Sequence, residues 1–146
     1  MVEQGSPAPH FTLPVNGGDM VTVPDGKRTV LYFYPKDFTS GCTLEAQRFK
    51  KDFAQYGERN AQILGVSVDD VDSHAEFCDA EGLEFPLLAD VDGAVSKAYG
   101  SWLAPFSMRH SFLIDPEGIL QHVFLAVRPA IHSQEVLEKL DELQVA

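Results

Sequence analysis

Apolar residues along this chain recur with two different periods, and the changes of period divide it into elements. Gly5 to Pro14 is rich in proline and reads as an extended arm with a short strand near Phe11 to Leu13. Asn16-Gly17-Gly18-Asp19 is a hairpin-turn sequence leading into Val21-Thr22-Val23. A second turn at Asp25-Gly26 precedes the β-branched and aromatic run Thr29 to Tyr34, which predicts a strand. Cys42, Ala46, Phe49, Phe53 and Tyr56 then recur at spacings of four and three, predicting a helix from Thr43 to about Tyr56 that Gly57 closes. Ile63 to Val68 is almost wholly apolar and predicts a central strand covered on both faces. Ser73-His74-Ala75-Glu76 fits a capping box, so a helix is expected from there to about Glu81, stopped by Gly82. Phe85 to Ala89 predicts a short strand and Ala94 to Tyr99 a short helix. Ser111 to Ile114 and Ile119 to Val127 flank Asp115-Pro116-Glu117-Gly118, which predicts a β-hairpin with a tight turn. A last helix, Ser133 to Leu143, carries Val136, Leu137, Leu140 and Leu143 on one side.

This order gives an α/β class: a central mixed β-sheet flanked by helices on both faces, with an N-terminal β-hairpin. A thioredoxin-like fold satisfies it, with 29–34 and 63–68 parallel and the 111–127 hairpin antiparallel. The 146 residues suit one domain, 1–146, without internal repeat or linker. Cys42 then follows a strand and a Pro–Gly turn and opens a helix, at the carboxyl end of a central strand. There the unpaired backbone N–H groups and the positive end of the helix dipole favour a thiolate, which is a nucleophile.

Charge narrows the partners. With 22 acidic and 11 basic residues the formal charge is −11, which argues against nucleic acid. No apolar run reaches the ~20 residues of a membrane span. Met1 to Pro7 lacks the basic and apolar regions of a signal peptide, so a cytoplasmic location is expected. In that compartment two cysteines fit a redox-active or buried role better than a structural bridge. Cys42 and Cys78 have no close Cys or His at ligand spacing, so no zinc is expected.

Pro35-x-x-x-Thr39-x-x-Cys42 resembles the peroxidatic motif of peroxiredoxins, and Tyr32 to Phe49 is similar to the form in their Q-type, or bacterioferritin-comigratory, subfamily. Ala8-Pro9-x-Phe11-x-Leu13-Pro14, Ser73 to Asp90, Arg109-x-Ser111-Phe112-Leu113-Ile114-Asp115 and Val127-x-Pro129-x-x-His132 extend the resemblance along nearly the whole chain. It implies a thiol peroxidase for hydrogen peroxide and organic hydroperoxides that needs no cofactor. Cys42 would attack the peroxide and become a sulfenic acid. The Thr39 hydroxyl would accept from a backbone donor or the thiol while donating to the peroxide oxygen. Arg109 would favour the thiolate and stabilise charge on the leaving oxygen. Pro35 would shield the sulfur, and the backbone N–H groups at Gly41 and Cys42 would bind the developing oxyanion.

The resemblance leaves the fate of the sulfenic acid open. Many Q-type members carry a second cysteine five residues after the first, where this chain has Gln47. Cys78 falls where other members carry a resolving cysteine, which implies a 42–78 disulfide recycled by thioredoxin or a similar dithiol reductant. The bridge would require both helix starts to unwind locally, because it needs Cα atoms within ~7 Å. The alternatives are a one-cysteine peroxidase with Cys78 inert in the core, and a non-catalytic binding or holdase module. A thioredoxin-like disulfide reductase is disfavoured, since residue 45 is Glu and residue 39 is Thr. Glu45 matches a glutamate usual in the subfamily, and a solvated helix-face position accounts for it equally. His110, His122 and His132 read as structural or surface residues, and Asp90-Val91-Asp92-Gly93 as a turn. Only nine residues separate Tyr99 from Arg109, fewer than is usual in the subfamily. Trp102, Leu103, Phe106 and Met108 are expected to wall the active-site mouth, to form a subunit contact, or to pack over the core. A monomer or weak homodimer is expected.

Overall fold

The computed structural model describes residues 2–145. Its principal sheet has five strands in the order β5-β4-β3-β8-β9, where β3 is Arg28–Phe33, β4 Ala61–Ser67, β5 Leu87–Ala89, β8 Ser111–Ile114 and β9 Leu120–Phe124. β3 runs parallel to β4 and antiparallel to β8, and β4 is parallel to β5, as the element order predicts. Two strands, β1 (Phe11–Pro14) and β2 (Met20–Val23), form the N-terminal hairpin.

β3 is apolar on both faces because both are covered. Val30, Tyr32 and Tyr34 point into one cluster with residues of four helices: α1 (Ser40–Lys51), α2 (Phe53–Glu58), α3 (Val71–Glu81) and α5 (His132–Val145). Leu31 and Phe33 point to the other, with Val95 and Tyr99 of α4 (Ala94–Tyr99) and the N-terminal segments. Each large apolar side chain so buried contributes about 1.5–3 kcal/mol. Helices therefore lie on both faces, and the two cysteines share the first cluster.

The strand before the Cys78 helix runs 61–67 and β5 only 87–89, and the larger departures from the periodicity arise where a side chain bonds the backbone or crosses to another element. The helix expected over 43–56 is two, since Asp52 leaves helical geometry (φ −95°, ψ 5°). Its buried carboxylate accepts from Ser133 Oγ at 2.7 Å and Gln134 Nε2 at 3.1 Å, tying the break to α5. Gly57 lies inside α2, and the chain turns at Asn60 (φ 55°). Asp70, not Ser73, caps α3: its carboxylate accepts from the Ser73 N–H at 2.8 Å, so the helix begins earlier than the capping box predicts and frees the Ser73 hydroxyl. β9 ends at Phe124 because Ala126 takes a positive φ of 49° and its N–H donates to His110 Nδ1 at 2.9 Å.

Residues 100–108 are not a plain loop. Trp102–Leu103 (β6) and Phe106–Ser107 (β7) pair as a small antiparallel hairpin. The Trp102 ring lies under the Lys97 ammonium, 5.1 Å from it, and over Gly93, where a Cβ would sit 2.5 Å from the ring. Asp90 is buried at the turn before α4 and accepts from the N–H groups of Val95 and Ser96 and from Ser96 Oγ, so that stretch is a helix-starting turn, as its sequence suggests.

Candidate active site

The chain leaves β3 at Phe33 and crosses residues 34–39 to reach α1. Thr39 is the N-cap, with extended geometry (φ −81°, ψ 152°), and its carbonyl accepts from the Thr43 N–H at 2.9 Å. Its hydroxyl donates to the Lys36 carbonyl at 2.8 Å rather than capping the first turn, so the one proton expected to reach the peroxide is held by the backbone instead. Ser40, Gly41 and Cys42 thus begin a helix whose first N–H groups take no bond from the capping side chain, a ready seat for an anionic oxygen.

Cys42 is on this turn and is only 2% exposed. Arg109, just before β8, reaches it: Nη2 donates to Cys42 Sγ at 3.3 Å, while Nη1 donates to Glu45 Oε1 at 2.7 Å. The arginine is held by its backbone, where the Val127 N–H donates to the Arg109 carbonyl and the Phe33 N–H to that of His110. Gly41 leaves the guanidinium room, since a Cβ there would lie 3.2 Å from Nη2. The fork contacts the sulfur and the carboxylate with different nitrogens, an arrangement lysine cannot reproduce.

Glu45 corrects the solvated reading. It is fully buried, one turn after Cys42, and its second oxygen, Oε2, has no partner. Burial pushes its carboxyl up to about 7, opposed by the Arg109 charge and hydrogen bond. Burial also works against the charge on Arg109, but Glu45 and Cys42 outweigh it and its pKa rises. Breaking this pair on one side would cost about 3–5 kcal/mol, because the other charge would stay buried alone.

Beside Arg109 opens a cavity of about 440 Å³ lined by Pro35, Leu103, Phe106, Met108, Arg109 and Val127, among others. Leu103 and Phe106 are exposed at its rim, and Pro35, on the loop that leads to Cys42, lines its wall. The short hairpin therefore divides its labour: Trp102 and Ser107 fasten it to α4, and Leu103, Phe106 and Met108 wall the cavity. The histidines hold structural positions. His132 is buried between Phe49 and Phe124, its Nε2 2.8 Å from Ser111 Oγ, and burial brings its pKa down to about 3.

Cys78 lies on α3, buried, and neither thiol is in a disulfide. Burial pushes the Cys78 thiol up to about 11, with the carboxylates of Asp37 and Asp79 adding to it. Gln47 Nε2 donates to the carbonyl of Glu81 at 3.1 Å and to its side chain at 2.8 Å, tying α1 to the end of α3.

Sequence reasoning missed a polar cluster under residues 34–39, because its members are far apart in the chain. Asp37 is buried and accepts from Tyr34 Oη at 2.5 Å and Ser73 Oγ at 2.9 Å, and its Oδ2 is 2.7 Å from His74 Nδ1. The Asp37 N–H donates to Asp69 Oδ2, which also accepts from Ser67 Oγ. Ligand atoms of Asp37, Asp69 and His74 lie within 4.8 Å of one another. Protons from Ser73, Ser67 and the backbone already occupy these oxygens, so the cluster is a hydrogen-bond network.

A thioredoxin-like sheet that opens the helix after its central strand with a cysteine held by arginine defines a thiol oxidoreductase. Residues 4–123 match the AhpC/TSA family. The chain is 36% identical to peroxiredoxin Bcp of Bacillus subtilis (strain 168), over 97% of this chain and 97% of that one. Against a cysteine variant of PrxQ from Xylella fastidiosa the TM-score is 0.92, with 33% identity over 99% of this chain and 98% of that one. A cysteine variant of Xanthomonas campestris peroxiredoxin Q superposes with a TM-score of 0.86 at 34% identity, covering 90% of each chain. The same figures hold for a structure of the bacterioferritin comigratory protein of that organism, described for its alkyl peroxide reduction activity. The chain belongs to the AhpC/TSA family of peroxiredoxins and is a thiol-dependent peroxidase. Among the described residues, no helix is long and apolar enough to cross a membrane.

Proposed function

We propose that Cys42 is the peroxidatic nucleophile, that Cys78 resolves its sulfenic acid, and that a dithiol protein such as thioredoxin reduces the disulfide in the cytosol. The observation that carries the reading is the 3.3 Å contact of Arg109 Nη2 with Cys42 Sγ. The Cys42 thiolate attacks one peroxide oxygen, the O–O bond breaks, and the other oxygen leaves as water or an alcohol once protonated. Arg109 stabilises charge on sulfur and on the breaking bond, and the N–H groups of Gly41 and Cys42 bind the developing oxyanion. Pro35 keeps water from the sulfur, and Thr39 orders the turn through Lys36 while its oxygen remains able to accept from the peroxide.

The apolar cavity beside Arg109 is far larger than hydrogen peroxide, which supports organic hydroperoxides as substrates. A role for Cys78 is supported by two Xanthomonas structures, in which either of two cysteines thirty-six residues apart is replaced by serine; Cys42 and Cys78 have the same separation. The buried, weakly acidic thiol of Cys78 favours a second reading, a one-cysteine enzyme resolved from outside.

The test is thioredoxin-coupled consumption of hydrogen peroxide and cumene hydroperoxide by wild type, Cys42→Ser and Cys78→Ser. A dead Cys42→Ser with a Cys78→Ser that reacts once without recycling is the expected result. Normal turnover by Cys78→Ser would establish the one-cysteine reading. Full activity of Cys42→Ser would sink the assignment altogether.

A further inference from the structure

The loop that delivers Cys42 is fastened to the helix that carries Cys78, chiefly through Asp37. Three bonds reach its carboxylate: from Tyr34 Oη, and from Ser73 and His74 on the first turn of α3. A fourth joins its N–H to Asp69, ahead of α3. The next residue, Phe38, stacks edge-on against Phe77 of α3 at 5.1 Å between centroids, with its own backbone at a positive φ of 65°. Non-glycine residues rarely hold that conformation without support from their surroundings.

His74 gives the fastening its character. Its Nε2 is 3.0 Å from the Leu88 carbonyl, which can only accept, so Nε2 carries a proton. Its Nδ1 faces Asp37, which already accepts from Tyr34 and Ser73. A single proton lies between Nδ1 and Oδ2, and wherever it sits the pair has no net charge. Both side chains are fully buried. Pulling Asp37 away would leave His74 Nδ1 and Tyr34 Oη, 3.5 Å apart, without the carboxylate that both meet in the core. A movement that frees Asp37 therefore has to break all of these bonds together. His74 also sits one helical turn before Cys78 on the same buried face of α3.

We propose that the Asp37–His74 contact is a latch whose opening limits how fast Cys78 reaches the Cys42 sulfenic acid. This rests on Cys78 being the resolving thiol. Both thiols are unbonded with the latch closed, and a bridge requires their segments to come together. With the latch closed, Cys42 stays on its helical turn against Arg109, where it meets peroxide. With the latch open, residues 37–42 swing free of α3. The Cys78 sulfur then attacks the Cys42 sulfur, the S–O bond breaks, and hydroxide leaves with the thiol proton as water, so that one thiol is oxidised as the sulfenic acid is reduced. The latch thereby sets how long the sulfenic acid is exposed to a second peroxide, which would convert it to the sulfinic acid. His74 is a positioning residue: it touches neither substrate nor reacting sulfur.

The experiment compares wild type, His74→Gln and Ser73→Ala in the full chain. Reduced protein is mixed with one equivalent of hydrogen peroxide, and sulfenic acid and 42–78 disulfide are followed by rapid quench and mass spectrometry. A parallel series with excess peroxide measures the sulfinic fraction. His74→Gln should form the disulfide about tenfold faster and give less sulfinic acid, while sulfenic acid forms at a rate within about twofold of wild type. Ser73→Ala, which loses one bond to Asp37 and leaves His74 in place, should shift both in the same direction by less. Unchanged or slower disulfide formation in these folded variants would overturn the latch and leave Cys78 as the resolving thiol. A wild type that forms no 42–78 disulfide would instead overturn the reading of Cys78, and the latch with it.

Discussion

Glu45 shows how one buried carboxylate sets the behaviour of its neighbours. Its carboxyl sits at about 7 in the folded chain against an ordinary value of 4.5, raised by burial against the pull of Arg109. Between those values the folded state binds the extra proton, so stability falls as pH rises. The Glu45 contribution is fully present below 4.5 and is lost as pH climbs through about 7. Glu45→Gln removes this dependence. Urea denaturation of both proteins should show the variant gaining on wild type by up to about 3 kcal/mol between about pH 5 and about pH 8. Gly41 acts through space rather than charge. Gly41→Ala puts a methyl group 3.2 Å from Arg109 Nη2 and should displace the guanidinium by a few tenths of an ångström. Its kcat/KM for hydrogen peroxide should fall about 10- to 100-fold in steady-state assays with Cys42 intact. The sequence shows Cys42, Thr39 and Pro35 as one contiguous motif. It could not show that Glu45 is buried, because a glutamate one turn along a helix reads the same whether it meets water or an arginine sixty-four residues away.

The β6–β7 hairpin is the element that shapes the cavity beside Arg109. Its two-residue strands are too short to have a period, so the sequence showed its apolar content and not its shape. Leu103 and Phe106 occupy the cavity rim on either side of the turn. Replacing both with serine should lower kcat/KM for cumene hydroperoxide about tenfold and leave hydrogen peroxide within about twofold. An equal fall for both substrates would mean that the hairpin serves to hold Arg109. α1 and α2 make the complementary point. Their joint apolar stripe is continuous through Phe49, Phe53 and Tyr56, so periodicity joins them into one helix. The break at Asp52 arises from bonds to Ser133 and Gln134, more than eighty residues distant, which no local pattern encodes.

At the scale of the whole molecule, the sheet follows from the chain order: β-strands separated by helices lie parallel, and the Asp115–Gly118 turn sets the last pair antiparallel. The two ends of that sheet are treated alike. Residues 5–8 bond along one edge, through Gly5 N–H to the Leu120 carbonyl, Leu120 N–H to that of Ser6 and Ala8 N–H to that of Gly118. Farther along the same arm, Val15 bridges Leu88 and the Asn16 N–H donates to the Leu87 carbonyl on the opposite edge. Between them Tyr99 Oη donates to the Pro9 carbonyl, pinning the arm across the face. One segment thus bonds to both borders of the sheet, a strap that covers the start of β9 and part of β5. Deleting the chain through Pro9 would bare the β9 border and loosen the hold on β5. The shortened protein should self-associate more than the full chain at equal concentration on size exclusion with light scattering. The strap belongs to colloidal behaviour rather than catalysis: its loss would be felt first as turbidity, in a protein whose cysteine and arginine are still correctly placed.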